Sequence, residues 1–248
     1  MSNNKNYGII GFGNVGQALY FSLKDDGVIH DKYKKPYQDN FEEILKTNIV
    51  FICVPTPEKD PLSEMRRVLD DLDLHNYEGI VVIKSTVPPK SLEKYFKDTN
   101  LKLVANPEFL NQNTRFKDAL NQKIIVLGGD AVLIEKVIAF YNRNLKVTDV
   151  EYYPMSFEEA MYFKYVRNLY SAWKVTFWNI IEDTIGNSRF YNDMLEKLPL
   201  SDKIIVGLDG KRGYGGACLP KDAKNFNTKV RFHPLISDMI KYNEEIRN

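Results

Sequence analysis

Short apolar runs recur along the first 150 or so residues, each closed by a polar or proline-rich turn. Tyr7–Ile10 is the first, followed by the glycine turn "GFGNVG". "QALYFSLKDD" then places Leu19, Tyr20 and Leu23 at helical spacing. "GVIHD" reads as a second strand ending at Asp31, and "FEEILKTN" as a short helix. "IVFICVPTP" and "GIVVIKSTVPP" are β runs stopped by prolines, and "LKLVANPEF" and "KIIVLGG" add two more. Helical patterns lie between them in "PLSEMRRVLDDL" and "PKSLEKYFKD". Strands alternating with helices predict an α/β fold with a Rossmann-like, doubly wound parallel sheet.

From about Met155 the pattern changes. "SFEEAMYFKYVRNLYSAWKVTFWNIIEDTIG" has no proline and predicts one long helix of about eight turns. Ser156 with Glu159 fits a capping box, and Gly186 marks the stop. Further helices are expected in "RFYNDMLEKL" and "PLISDMIKYNEEIR". The division expected from these patterns is a nucleotide-binding domain over 1–154 and a helical domain over 155–248.

Composition narrows the classes. A net charge of +1 gives no global field for nucleic acid or an anionic membrane. Two cysteines, Cys53 and Cys218, make no disulfide framework, and a reducing compartment, the cytoplasm, is the expectation. No signal peptide or membrane span is expected, and His30, His75 and His233 lie too far apart to suggest a metal site.

The glycine turn carries the first chemistry. Gly11 permits a tight turn, Gly13 lets backbone approach a pyrophosphate, and Gly16 lets the helix pack close to its strand. The turn residues Phe12, Asn14 and Val15 bring their N–H groups to the same helix start. Asp31 lies twenty residues beyond Gly11, where an acid bonds the adenosine ribose hydroxyls, so NAD is the expected cofactor. Lys32, Lys34 and Lys35 crowd Asp31, which weakens the discrimination against a 2′-phosphate.

Ligands of open α/β sheets bind beyond the carboxyl ends of the strands. "VPTP" with Pro55 and Thr56, "KSTVPP" with Thr86, and "ANPEFL" with Glu108, Phe109 and Leu110 fall there. Thr86 alone reads as a loop cap, and Glu108 stands between a solvated carboxylate and a functional one. On the long helix Lys164, Asn168, Ser171, Val175 and Asn179 share one face. Spacing alone favours a solvated strip. In "GYGGACLPKD" the glycines supply backbone able to approach a ligand, and Lys221 and Asp222 follow Cys218. A nearby cation raises the thiolate fraction. A lone cysteine is otherwise most often a small buried hydrophobe.

Taken together, "GFGNVG", "VPTP", "KSTVPP", "NPEFL", "KYVRNLYSAWKVTFWN" and "GYGGACLPKD" resemble, in order, the UDP-glucose/GDP-mannose dehydrogenase family. "GYGG" before the cysteine is more similar to its UDP-glucose members. The resemblance covers essentially the whole chain. It implies the four-electron, NAD-dependent oxidation of UDP-glucose to UDP-glucuronate, with Cys218 forming a thiohemiacetal and then a thioester. It also implies that Lys164 stabilises oxyanion charge with help from Asn168, that Asp222 and Thr86 position water, and that Glu108 is the general base. Pro55, Thr56, Thr86 and Lys221 join the glycine turn as cofactor contacts. Glu108, Phe109, Leu110, Lys164, Asn168, Lys203, Tyr214 and Gly215 are the implied substrate contacts. A homodimer paired through the long helix is expected, with Met161, Tyr165, Trp173 and Phe177 as apolar candidates.

The chain departs from the family pattern in places. A second Rossmann-like domain that holds the UDP half is expected to be missing. Gln112 stands where a carboxylate normally contacts ligand, Lys203 replaces an arginine, and Ile180 stands where glutamate is common. Two other readings therefore stay open. One is a dimerising NAD-binding chain that needs a partner for the UDP half. The other is a different dehydrogenase, acting on GDP-mannose or, in a two-electron reaction without cysteine chemistry, on a β-hydroxyacid.

Overall fold

The computed structural model describes residues 6–24, 27–186, 207 and 209–247. The chain divides into two compact units, one ending at Lys164 and the other beginning at Tyr165. The division falls inside a single long helix.

The first unit is built on a seven-stranded sheet in the order β2-β1-β3-β4-β5-β6-β7. The strands are β1 (Tyr7–Ile10), β2 (Val28–His30), β3 (Ile49–Ile52), β4 (Ile80–Ile83), β5 (Lys102–Ala105), β6 (Ile124–Gly129) and β7 (Glu151–Met155). Every pairing is parallel except β5 with β6. The expected doubly wound sheet is thus present, with that antiparallel pair as the exception. β7 was not evident in the sequence, because "EYYPM" carries a proline and alternates weakly. It lies at the sheet edge, where a proline costs no ladder bond in the interior.

The central strands are apolar throughout because both faces are covered. Successive residues point to opposite sides, so Ile10, Ile52 and Val81 enter one core with α3 (Ser63–Leu74), while Ile9, Phe51 and Val82 enter the other. The second core also takes Leu19 of α1 (Asn14–Ser22) and Val137, Phe140 and Tyr141 of α6 (Ala131–Asn144). Met65, Val68, Leu69 and Leu72 of α3 recur at helical spacing, and each contributes about 1.5–3 kcal/mol by leaving water. The sequence did not single out α6. Its signal was Asp130, whose carboxylate accepts the N–H groups of Val132 at 2.9 Å and Leu133 at 3.2 Å. Three short helices complete the unit: α2 (Phe41–Ile44), α4 (Glu93–Asp98) and α5 (Arg115–Leu120).

The long helix α7 runs from Phe157 to Ile185. The capping box forms as expected, with Glu159 N–H donating to Ser156 Oγ at 3.2 Å and Ser156 N–H donating to Glu159 at 2.9 Å. Gly186 ends the helix at φ +74°, its N–H on the Glu182 carbonyl. In the second unit α7 is joined by α8 (Leu219–Asn225), a π-helical turn (Phe226–Val230) and α9 (Pro234–Arg247). Ala172, Val175, Tyr214, Ala223 and Met239 form its core. The helix expected in "RFYNDMLEKL" lies outside the described residues. Among the described residues no helix is long and apolar enough to cross a membrane.

Candidate functional site

The sheet order reverses between β1 and β3, where the chain leaves β1 for one side and later returns to the other. That switch point, at the carboxyl ends of the strands, is where open α/β sheets bind ligands. The glycine turn follows β1 there. Gly11 is held at φ +90°, and a Cβ on it would meet the Cys53 carbonyl at 2.7 Å. A Cβ on Gly16 would meet the Gly11 carbonyl oxygen at 2.2 Å. At Gly13 the same construction meets nothing within 4 Å, so the space beside it is open. Gly13 also caps α1 without a side-chain acceptor, leaving the helix start facing that space. A pyrophosphate fits such a cradle: backbone can approach it, and the helix supplies N–H groups and a positive dipole end.

Asp31 and Lys34 hold the turn from the next strand. Asp31 is buried and accepts Phe12 N–H at 2.7 Å and Tyr33 N–H at 2.9 Å. Lys34 donates to the Phe12 carbonyl at 2.6 Å, and Gln17 donates to the same oxygen at 3.1 Å. Both ends of the Phe12 peptide are therefore clamped, and its ring packs against Tyr20 and Tyr37. Pro55 is exposed and Thr56 buried in the turn after β3.

A second cluster belongs to the first unit. Lys164 is 3% exposed, and its Nζ donates to the Glu108 carbonyl at 2.6 Å, with the Glu108 carboxylate at 3.4 Å. The other carboxylate oxygen accepts Leu110 N–H at 2.5 Å. Phe109 places its ring 5.6 Å from the same ammonium. Thr86 is half-buried in the turn after β4. Gln112 is exposed. The sequence reading missed two residues beneath this cluster, Lys84 and Asn106, whose positions had been quoted only as parts of "KSTVPP" and "NPEFL".

In the second unit Asp222 is 2% exposed. It accepts from Asn168 Nδ2 at 2.6 Å and lies 2.8 Å from Lys221 Nζ. Cys218, four residues earlier, is exposed just before α8. Tyr214 is fully buried and exchanges bonds with Asn243, which lies in α9. A Cβ on Gly215 would lie 2.5 Å from the Asp209 carboxylate, so that side chain would have to shift. Lys203 lies outside the described residues. The strip Lys164, Asn168, Val175 and Asn179 is buried, with Ser171 half-buried, so the solvated-face expectation fails. Lys164 and Asn168 bond to Glu108 and Asp222, while Ser171 and Asn179 bond back to the Arg167 and Val175 carbonyls one turn earlier in α7. Among the described residues no group of three or more His, Cys, Asp or Glu could hold a metal ion.

A switch-point glycine turn, an open Gly13 and an acid at the end of β2 define a dinucleotide-binding Rossmann unit. Residues 25–143 match the model of the NAD-binding domain of the UDP-glucose/GDP-mannose dehydrogenase family. A UDP-glucose 6-dehydrogenase of Campylobacter jejuni is 28% identical over 210 residues, covering 81% of this chain and 52% of that protein. The chain thus spans about half the length of the curated UDP-glucose 6-dehydrogenases it matches. In fold it is similar to a UDP-glucose dehydrogenase from Pyrobaculum islandicum, with TM-score 0.73 and 21% identity over 98% of this chain and 69% of that one. The fold is shared as well with a 3-hydroxyisobutyrate dehydrogenase of Mycobacterium tuberculosis, at TM-score 0.71 and 14% identity, over 97% of this chain and 93% of that one.

Proposed function

We propose that the chain carries out the four-electron oxidation of UDP-glucose to UDP-glucuronate, with residues 1–154 holding NAD and residues 155–248 carrying Lys164 and Cys218. The observation that carries the proposal is the exposed Cys218 four residues before a buried Asp222 held by Asn168 and Lys221. A carboxylate buried this deeply is held by its partners, and such held groups cluster at functional sites.

Bound NAD supplies a hydride acceptor, one molecule for each of two oxidations. The backbone from Gly13 to Gly16 would hold its pyrophosphate, with Phe12 fixed by Asp31 beside it, and Asp31 would hold its ribose. The alcohol at C6 loses a hydride and a proton to become an aldehyde. Cys218 Sγ adds to the aldehyde carbon, and the thiol proton ends on the former carbonyl oxygen, giving a thiohemiacetal. Loss of the second hydride and the hydroxyl proton leaves a thioester on Sγ. Glu108 takes a proton from the attacking water, the C–S bond breaks, and the carboxylate and the thiol are released. Asp222 and Thr86 orient that water. Lys164 stabilises the oxygen anions that develop along the way. Phe109, Leu110, Tyr214 and Gly215 are assigned to the substrate, as is Lys203.

The chain is further proposed to pair with a second copy of itself. Val166, Tyr170, Trp173, Phe177 and Ile180 are exposed on α7 at alternating spacings of three and four residues. That is the repeat of a helix–helix seam. The set replaces two of the candidates named above, since Met161 and Tyr165 are buried. Sedimentation at micromolar concentration should give twice the chain mass, and Trp173→Glu should give the monomer.

The deciding experiment is stoichiometry. UDP-glucose should yield two NADH per sugar, and a ratio of one sinks the four-electron scheme. A ratio of one that survives Cys218→Ala favours the second reading, a two-electron dehydrogenase, which the fold shared over 93% of the 3-hydroxyisobutyrate enzyme allows.

A further inference from the structure

Lys84, at the end of β4, has no part in the scheme above. It is 6% exposed, and its ammonium donates to Asn106 Oδ1 at 2.9 Å and to the Asn106 carbonyl at 3.4 Å. Asn106 is fully buried at the start of the turn that leads through Pro107 to Glu108. Its Oδ1 also accepts from Tyr141 Oη at 2.6 Å, and its Nδ2 donates to the Val126 carbonyl at 2.8 Å. Two side chains thus tie β4, β6 and α6 to the turn after β5.

Packing alone does not account for this lysine. Taking an ammonium out of water costs several kcal/mol, and among the described residues no carboxylate lies within ion-pair distance to offset it. A methionine would fill similar space without that cost. The ionisable groups facing Lys84 are Glu108 of the turn after β5, Lys164 of α7 and the Cys53 thiol after β3, with the Tyr141 hydroxyl of α6 beside Asn106. Burial holds the Cys53 thiol neutral, its pKa pushed up to about 12, and raises that of Tyr141 as well. Glu108 offsets one of the two ammonium groups. When Lys84 is protonated, the cluster holds one ammonium more than Glu108 offsets.

We propose that Lys84 is a positioning residue: through Asn106 it pins the turn that presents Glu108 to Lys164, and when protonated it supplies the extra ammonium that lets the cluster favour a developing anion. The catalytic half of this inference rests on the dehydrogenase reading; the coupling of the three charges does not. Burial lowers the Lys84 pKa first, Lys164 lowers it further, and Cys53 and Glu108 oppose the shift.

Lysine side-chain carbon NMR on the ligand-free chain tests the coupling directly, with the Lys84 signal assigned by its loss in Lys84→Arg. Glu108→Gln should move the Lys84 titration to lower pH, and Lys164→Met should move it to higher pH. A titration that responds to neither overturns the coupling. With UDP-glucose and NAD, Lys84→Met should lower kcat about tenfold or more and remove the pH dependence that follows the Lys84 titration, while NAD affinity changes less than about threefold. Unchanged kcat and pH profile would reduce Lys84 to a strut and overturn the catalytic half. If Lys84→Met does not fold, the pH profile of the native chain decides: a limb that coincides with the Lys84 titration and moves with it in Glu108→Gln supports the role, and its absence refutes it. No turnover of any nucleotide sugar sinks the dehydrogenase reading and the catalytic half with it, and leaves the coupling to the NMR result.

Discussion

Two glycine-rich turns open helices in this chain, and each has one of the two cysteines beside it. In "GFGNVG" the tight contacts are at the flanks, Gly11 against the Cys53 carbonyl and Gly16 against Gly11, while Gly13 faces open space. In "GYGGAC" the tight contacts fill the middle. A side chain on Gly213 would strike Asn243 at 2.6 Å, and one on Gly215 would strike Asp209 at 2.5 Å and Arg247 at 2.6 Å. The first turn spends its glycines on admitting a ligand, and the second spends them on packing its own unit. The cysteines are arranged the opposite way: Cys53 is sealed in the core, and Cys218 is exposed. The same letters in a sequence therefore mark ligand approach in one turn and thiol presentation in the other.

The largest effect expected from this difference is on turnover. On the proposed scheme, Cys218→Ala should lower NADH formation from UDP-glucose by about 10³-fold or more, because the thioester route runs through its Sγ. Cys53→Ala should leave kcat within about threefold and cost roughly 1–2 kcal/mol of stability through the space it opens. Iodoacetamide should correspondingly label Cys218 in the native chain, and Cys53 only after unfolding. Equal losses of activity in the two variants would erase the contrast.

The next effect is on stability. Gly16→Ala places a methyl 2.2 Å from a backbone oxygen that cannot move aside cheaply. A loss of about 1–3 kcal/mol in a urea titration is expected, with NAD binding weakened as the turn shifts. Gly13→Ala should do the reverse. Its methyl enters open space, so the urea midpoint should stay near that of the native chain, while NAD affinity falls about tenfold, or 1.4 kcal/mol. Should Gly13→Ala bind NAD as well as the native chain, the pyrophosphate lies elsewhere.

These outcomes bear on how much the sequence alone could carry. The sheet was legible because the strands between Tyr7 and Gly129 are buried runs separated by turns of known chemistry, and both ends of α7 were legible because Ser156, Glu159 and Gly186 are local signals. β7 was not, since "EYYPM" is mostly unburied and interrupted by a proline, and α6 was passed over although Asp130 marked its start. At the site, spacing alone pointed to Asp31, while Glu108, Lys164, Asn168 and Asp222 were singled out by the family resemblance. Their pairings could not be read, because Glu108 meets Lys164 across 56 positions and Asn168 meets Asp222 across 54. Lys84 was hidden for a different reason: a lysine beside a β run reads as its solvated end, and only the burial of Asn106 reveals otherwise.

The smallest effect concerns protons. Cys53 has its pKa pushed up to about 12 from an ordinary 9.0, chiefly by burial, with Lys84 opposing and Glu108 adding to the shift. The folded state therefore keeps the thiol proton that the unfolded chain releases above pH 9.0. Stability from this group is complete below pH 9.0 and is lost as pH rises toward 12. By pH 10 the loss from this one group is about 1 kcal/mol. Urea titrations at pH 8 and pH 10 should show that loss in the native chain and less of it in Cys53→Ala, while Cys218→Ala should keep it in full. If Cys218→Ala flattened the dependence instead, the sealed thiol would be the other one, and the contrast between the two turns would be inverted.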